Sequence, residues 1–329
     1  MARRSSRPAR TARFHLVVVL IVASSIGTVG GVVALSDTST RAAGAATRKA
    51  KTPRSTTTTG VPTTTTVAPT TTTSLAPTTT TTGVPTTTTV APTTTTTVAP
   101  TTTFDDEFSG AAGSAPNAAL WGYDTGGGGW GNNELETYTS STQNASLDGQ
   151  GHLVITAIKD LSGHYTSARL QTFASFAQTY GHFEARMALP AGQGLWPAFW
   201  ILGQNCYQST PWPQCGEIDA MENLGNDPNV VETHAHGPNL DFGGPHTLAV
   251  PATGWHTYAL DWSASQVSWS IDGTVVQTMT KAQAGSGWVF DHPFFVILNL
   301  AVGGDWPGAP DASTVFPARV LVDDVRVTN

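Results

Sequence analysis

Residues 104–329 are expected to fold as an all-β sandwich of two antiparallel sheets of the jelly-roll kind, and three observations predict it. Strand-like runs recur along the segment. One of them, YGHFEARMAL, alternates Phe183, Ala185, Met187 and Leu189 with His182, Glu184 and Arg186, the period of two that belongs to a half-buried strand. Asp272-Gly273 between two such runs is a hairpin signal, and no stretch sustains helical periodicity. In chain order the expected strands are His152 to Ile158, Tyr180 to Leu189, Trp196 to Leu202, Trp255 to Trp262, Gln266 to Ile271, Phe294 to Leu300 and Arg319 to Val327.

Two segments precede this domain. Residues 1–54 hold ten of the sixteen Lys and Arg and a single acid, Asp37. An arginine-rich start is followed by an apolar run from Phe14 to Leu35, which reads as an export signal. The run is also long enough to span a bilayer, so an uncleaved anchor with its positive end inside is the alternative. Residues 55–103 contain 29 Thr and 6 Pro with no aromatic and no charge. Such a tract cannot bury enough apolar surface to offset chain entropy and is expected to be a disordered linker. The domain beyond it carries six basic against 22 acidic residues and every Trp and Tyr, which excludes a nucleic-acid binder with a basic face. Outside the cell, the only two cysteines, Cys206 and Cys215, are expected to form a disulfide rather than serve as nucleophile or metal ligand. The ring would stabilise the fold by on the order of 2–3 kcal/mol on the chain-entropy account.

The chemistry-bearing segment is Gly216-Glu217-Ile218-Asp219-Ala220-Met221-Glu222. Glu217 and Asp219 share a strand face, whereas Glu222, five positions on, should point away. A β-bulge of one residue near Ala220 and Met221 would return Glu222 to that face. Three crowded carboxylates raise one another's pKa, and glycoside cleavage needs one acid to protonate the leaving oxygen and another to attack the anomeric carbon. A calcium site and a solvated strand face are the competing readings of the same spacing. Trp130 in a Gly-rich loop and Trp196, Trp200 and Trp212 just upstream favour a sugar cleft, since pyranose C–H faces stack on aromatic rings. Trp196 and Trp200, four apart, should face the same side of their strand, whereas Trp255, Trp262 and Trp269 are expected in the core.

The strings WGNNELETYT, YTSARLQT, YGHFEARMALPAGQGLWPAFWILG, GEIDAMENLG, WHTYALDW and FFVILNLAVGGDWPG resemble glycoside hydrolase family 16, in particular its bacterial endo-β-1,3-glucanases, or laminarinases. The resemblance runs from about Phe104 to Asn329 and implies a jelly-roll sandwich with a concave substrate cleft and retaining double displacement. By the same resemblance Glu217 is the nucleophile, Asp219 the acid that orients it and Glu222 the general acid/base. His236 matches the cleft histidine, with His234 on its face. Trp196 and Trp200 are implied sugar platforms, beside the Trp130 that its loop context favours for sugar binding, and Asn132, Glu134, Arg169 and Asn299 hydroxyl contacts, although Arg169 could equally serve an ion pair. No cofactor is implied for catalysis. A structural calcium ion is implied, with Glu107 and Asp323 and a backbone carbonyl near Gly151 as its ligands.

The expected function is therefore a secreted or surface-tethered endo-acting hydrolase of neutral β-1,3-glucan, acting as a monomer and touching a membrane only through an uncleaved leader. Hydrolysis of mixed-linkage glucan or of a galactan, transglycosylation, and a non-catalytic glucan-binding module are the alternatives. A sulfated polyanion suits the acidic surface poorly, and a binding module would be expected to lack the glutamates that are present here.

Overall fold

A computed structural model describes residues 99–329; the leader and nearly all of the Thr/Pro tract lie outside the described residues. Among the described residues there are seventeen strands: β1 (Thr102–Asp106), β2 (Gly122–Asp124), β3 (Glu136–Tyr138), β4 (Ala145–Leu147), β5 (Leu153–Lys159), β6 (Tyr165–Ser167), β7 (Arg169–Gln171), β8 (Gly181–Ala188) and β9 (Leu195–Gly203). They continue with β10 (Glu217–Glu222), β11 (Val230–Gly237), β12 (Leu240–Thr247), β13 (His256–Trp262), β14 (Gln266–Ile271), β15 (Thr274–Thr280), β16 (Phe294–Val302) and β17 (Ala318–Thr328). The only α-helix among them is the single turn α1 (Lys281–Ala284).

These strands form two sheets. Seven strands run β12-β11-β10-β9-β16-β7-β2, and a ten-stranded sheet follows β15-β14-β13-β8-β17-β5-β6-β3, with β1 beside β17 and β4 beside β5. Pairing is antiparallel apart from the short β3–β6 contact. Alternation decides what each strand buries. Phe183, Ala185 and Met187 of β8, with Leu153, Ile155 and Val322 beside them, meet Phe199, Ile201, Ile218, Val296 and Leu298 of the other sheet in one core. The sandwich predicted from the sequence is thus present, and each expected strand appears with ends shifted by one or two residues.

The Asp272-Gly273 turn pairs Ile271 with Thr274 and places both turn residues at positive φ, 50° and 72°, the geometry for which Asp-Gly is suited. Two expectations need adjustment. The first strand begins at Thr102, inside the expected linker, because Thr102 pairs with Thr328 and the Thr101 amide donates to Asn329 Oδ1 at 3.3 Å. Trp255, expected in the core with Trp262 and Trp269, instead lies on the outer face of the ten-stranded sheet under the Arg186 guanidinium, 4.8 Å from its ring centroid. Cys206 and Cys215 are joined with a Cα separation of 5.2 Å. Their loop covers Leu202, Phe295 and Ile297, a small apolar cluster at one end of the outer face of the seven-stranded sheet.

Candidate active site

The outer face of the seven-stranded sheet gathers the predicted residues through register. Glu217 lies opposite His236, Asp219 opposite His234 and Trp200, and Glu222 opposite Glu232 and Ala198. The parity of β10 is corrected by the expected bulge: Asp219 and Met221 pair with the successive residues Trp200 and Phe199, leaving Ala220 as the extra residue. Ile218, Ala220 and Met221 remain in the core while all three acids share the outer face. The bulge is held from beneath, where the buried Trp269 indole donates to the Asp219 carbonyl at 2.8 Å. Gly216, immediately before β10, has φ 76°, and a Cβ there would lie 2.8 Å from Phe294, so only glycine fits this entry to the strand.

The acids are nearly dry. Asp219 and Glu222 are buried, and Glu217 is only slightly exposed at the cleft floor. Burial raises the pKa of Glu217 above its ordinary value, reinforced by the charge of Asp219, and burial likewise raises Asp219. Glu222 is pushed up to about 8 by burial and then by Asp219, while an indole N–H from Trp196 at 3.0 Å pulls the other way. Among the described residues no lysine or arginine pairs with any of the three. The nearest basic side chains are histidines: His236 Nε2 stands 3.4 Å from Asp219 Oδ2 and 4.0 Å from Glu217 Oε1. Burial works against protonating His234, but Asp241, Glu232, Glu222 and Asp219 outweigh it and push its pKa up to about 11. Its ring stacks on His236 with centroids 5.6 Å apart.

On the other side of the acids, the predicted binding residues form a preassembled network. Trp200 donates from its indole to Asn299 at 2.8 Å, and Asn299 donates to the Tyr138 hydroxyl at 3.2 Å. Tyr138 in turn donates to Glu134, whose second oxygen receives the Asn132 amide at 3.0 Å. The Arg169 guanidinium lies between the rings of Trp130 and Trp200, 5.1 and 4.7 Å from their centroids. It pairs with Asp124 at 2.8 Å, the ion-pair role that the sequence left open beside sugar contact. Trp196 and Trp200 do share the cleft face, and Trp306 stands edge-on to Trp196 at 5.3 Å.

Sequence reasoning missed Asp124, Tyr207, Glu136, Tyr138, Glu232, Asp241 and Trp306. Tyr207 reaches Asp124 at 2.5 Å from the disulfide loop. Glu136 accepts the Val302 amide at 2.7 Å, and burial together with Glu134 pushes its pKa up to about 9. Glu134, Glu136 and Tyr138 alternate in the sequence, as Glu232, His234 and His236 do, a signal that could have found Glu136, Tyr138 and Glu232.

The donors expected for calcium do not meet as a carboxylate cage. Glu107 Oε1 receives Arg326 Nη2 at 2.7 Å, and Asp323 is bonded by Arg186, with His152 Nε2 3.6 Å from its other oxygen. Gly151 keeps its expected place, since a Cβ there would lie 3.8 Å from the Glu107 carbonyl oxygen. In this arrangement Glu107 and Asp323 are ion-pair partners of Arg326 and Arg186.

Comparison with known proteins agrees with the geometry. The profile of glycosyl hydrolases family 16 matches residues 132–320. The chain belongs to this family. It is 38% identical over 240 residues to a Beta-glucanase of Rhodothermus marinus, covering 68% of this chain and 83% of that protein. Among solved structures, the laminarinase catalytic domain of Thermotoga maritima shares 40% identity at a TM-score of 0.65, covering 70% of this chain and 98% of that one. The endo-beta-1,3-glucanase of Pyrococcus furiosus shares 41% at the same TM-score, over 70% and 94% of the two chains. In this family 16 chain the matched region contains the bulged strand, both histidines and most of the polar network.

Proposed function

We propose that this protein is an exported, endo-acting hydrolase that cleaves neutral β-1,3-glucan with retention of configuration. The observation that carries the reading is the row Glu217, Asp219 and Glu222, brought to one face by the bulge at Ala220 and buried with, among the described residues, no basic partner other than histidine. Relatives named as laminarinases and endo-β-1,3-glucanases support the substrate class. The strongly acidic domain surface supports a neutral glucan over a sulfated galactan. Export is supported by the disulfide and by the reading of residues 1–54 as a leader.

In the first step the Glu217 carboxylate attacks the anomeric carbon as the glycosidic C–O bond breaks, and the proton held by Glu222 passes to the leaving oxygen. The raised pKa of Glu222 keeps that proton in place at neutral pH. Negative charge is favoured on only part of the coupled row, which leaves one carboxylate to act as nucleophile while its neighbour is protonated. Asp219, its backbone fixed by Trp269, orients Glu217 and shares a proton with the row. In the second step water attacks the glycosyl ester, Glu222 takes the water's proton, and Glu217 is released. Trp196 both stacks on sugar and holds Glu222 in place through its indole N–H.

Purified protein incubated with laminarin, lichenan, agarose and carrageenan tests the substrate class. New reducing ends should appear fastest on laminarin. Preference for lichenan would move the reading to mixed-linkage glucan, preference for a galactan would overturn the glucan assignment, and binding without cleavage would make the domain a glucan-binding module.

A further inference from the structure

The β11–β12 hairpin carries a second cluster of ligand-type side chains at the edge of the cleft. His234 and His236 lie two residues apart on β11, so both imidazoles face outward, and Asp241 of β12 sits directly opposite His236. Asp241 Oδ1 is 3.2 Å from His234 Nδ1 and 3.6 Å from His236 Nδ1, and the three ligand atoms all lie within 4.8 Å of one another. Ligand atoms about 2.0–2.1 Å from a tetrahedral ion stand about 3.4 Å apart, so the two N···O spacings already match two edges of such a shell. The residue opposite His234 is Gly243, where a Cβ would come within 2.7 Å of His234 Nδ1. Glycine there keeps the nitrogen open on the side that faces Asp241.

We propose that His234, His236 and Asp241 bind one divalent transition-metal ion of the zinc and copper class, and that the bound ion inhibits hydrolysis. Two imidazoles and one carboxylate suit zinc or copper far better than calcium or magnesium, which take all-oxygen shells. Three protein ligands leave a fourth position for water. The inhibition follows from the other nitrogen of His236, whose Nε2 is 3.4 Å from Asp219 and 4.0 Å from Glu217. An ion on Nδ1 displaces the imidazole proton and pins the His236 ring, so that Nε2 can no longer adjust to Asp219 and Glu217 as charge moves through the row. The binding half of the proposal stands on the cluster alone, whereas the inhibition rests on the function proposed above.

Calorimetric titration of zinc chloride into tag-free, chelator-treated protein tests the binding without reference to activity. One ion should bind per chain, and Asp241→Asn and His234→Gln should each weaken binding at least tenfold. Copper(II) bound at the same site should show nitrogen splitting from two imidazoles in its spin-resonance spectrum. Asp241 is an exposed edge residue, so Asp241→Asn keeps the test sound should His234→Gln fail to fold. Laminarin cleavage, normalised to each variant's own zinc-free rate, should fall with zinc occupancy, recover with chelator and lose zinc sensitivity in Asp241→Asn. No zinc binding overturns the proposal. So does binding that survives both substitutions but is lost in Glu217→Gln, which would place the ion on Glu217, Asp219 and His236 instead. Binding with no effect on cleavage overturns the inhibition alone, and binding by a protein that cleaves no glucan would count against the functional reading rather than the site.

Discussion

Two acidic clusters lie on opposite outer faces of the same sandwich, and their surroundings give them opposite properties. On the ten-stranded sheet, Glu107 and Glu184 meet Arg326, and Asp323 meets Arg186. Each of these three carboxylates has a guanidinium partner and access to water. On the seven-stranded sheet, Glu217, Asp219 and Glu222 are buried with histidine as their cationic neighbour, and all three pKa values rise. Asp219 Oδ2 is buried without a hydrogen bond. Acid content alone therefore does not make a site: desolvation without a strong counter-charge stores protons where a reaction can use them. Pairing with arginine instead ties strands together at little net energy.

The largest effect that would break this comparison is chemical. Glu217→Ala and Glu222→Ala should each lower laminarin cleavage by roughly 10³-fold or more. An activated aryl glycoside should be partly spared only in Glu222→Ala, because a good leaving group needs little protonation. Azide should rescue Glu222→Ala through a β-glycosyl azide and Glu217→Ala through the α product. The same azide anomer from both variants would void the assignment of roles.

A smaller effect sharpens the electrostatic half. Glu222 with a pKa near 8 is protonated at neutral pH, so cleavage should fall as pH rises through about 8. The indole N–H of Trp196 favours the ionised carboxylate, so Trp196→Phe should move that alkaline limb to higher pH. A limb that moves down, or does not move, would show that the hydrogen bond does not act on the proton donor. The same raised pKa should make the fold less stable as pH climbs from the ordinary glutamate value toward 8, since the unfolded chain ionises first.

The smallest expected effect belongs to the arginine-paired face. Arg326→Ala should cost about 1 kcal/mol or less in thermal or denaturant unfolding and leave the laminarin rate unchanged. Calcium and chelator should give the same melting temperature. A calcium-dependent rise would mean that the Glu107 and Asp323 region rearranges to release its carboxylates.

How much of this was legible follows the same division between local and distant. Glu217, Asp219 and Glu222 are close in sequence, so strand parity and one bulge were enough to place them on one face. The β8 alternation gave its core side for the same reason. The β11–β12 hairpin was less readable, because β12 reads LDFGGPHT, whose Gly243, Gly244 and Pro245 look like a loop and are tolerated as a strand only at a sheet edge. Arg169 could not be assigned from sequence, since its partner Asp124 is 45 residues away and meets it only through the β2–β7 pairing. The arginines of β8 and β17 that meet Glu107 and Asp323 were not legible either, because their pairing depends on register rather than composition.

The central claim is that the buried carboxylate row performs double displacement. Proton NMR of laminarin cleavage, followed from the first minutes before mutarotation, tests it most directly. The account predicts that the new reducing end appears first as the β-anomer and that the α form grows in later. A first-formed α-anomer would mean direct attack by water and would contradict the role given to Glu217.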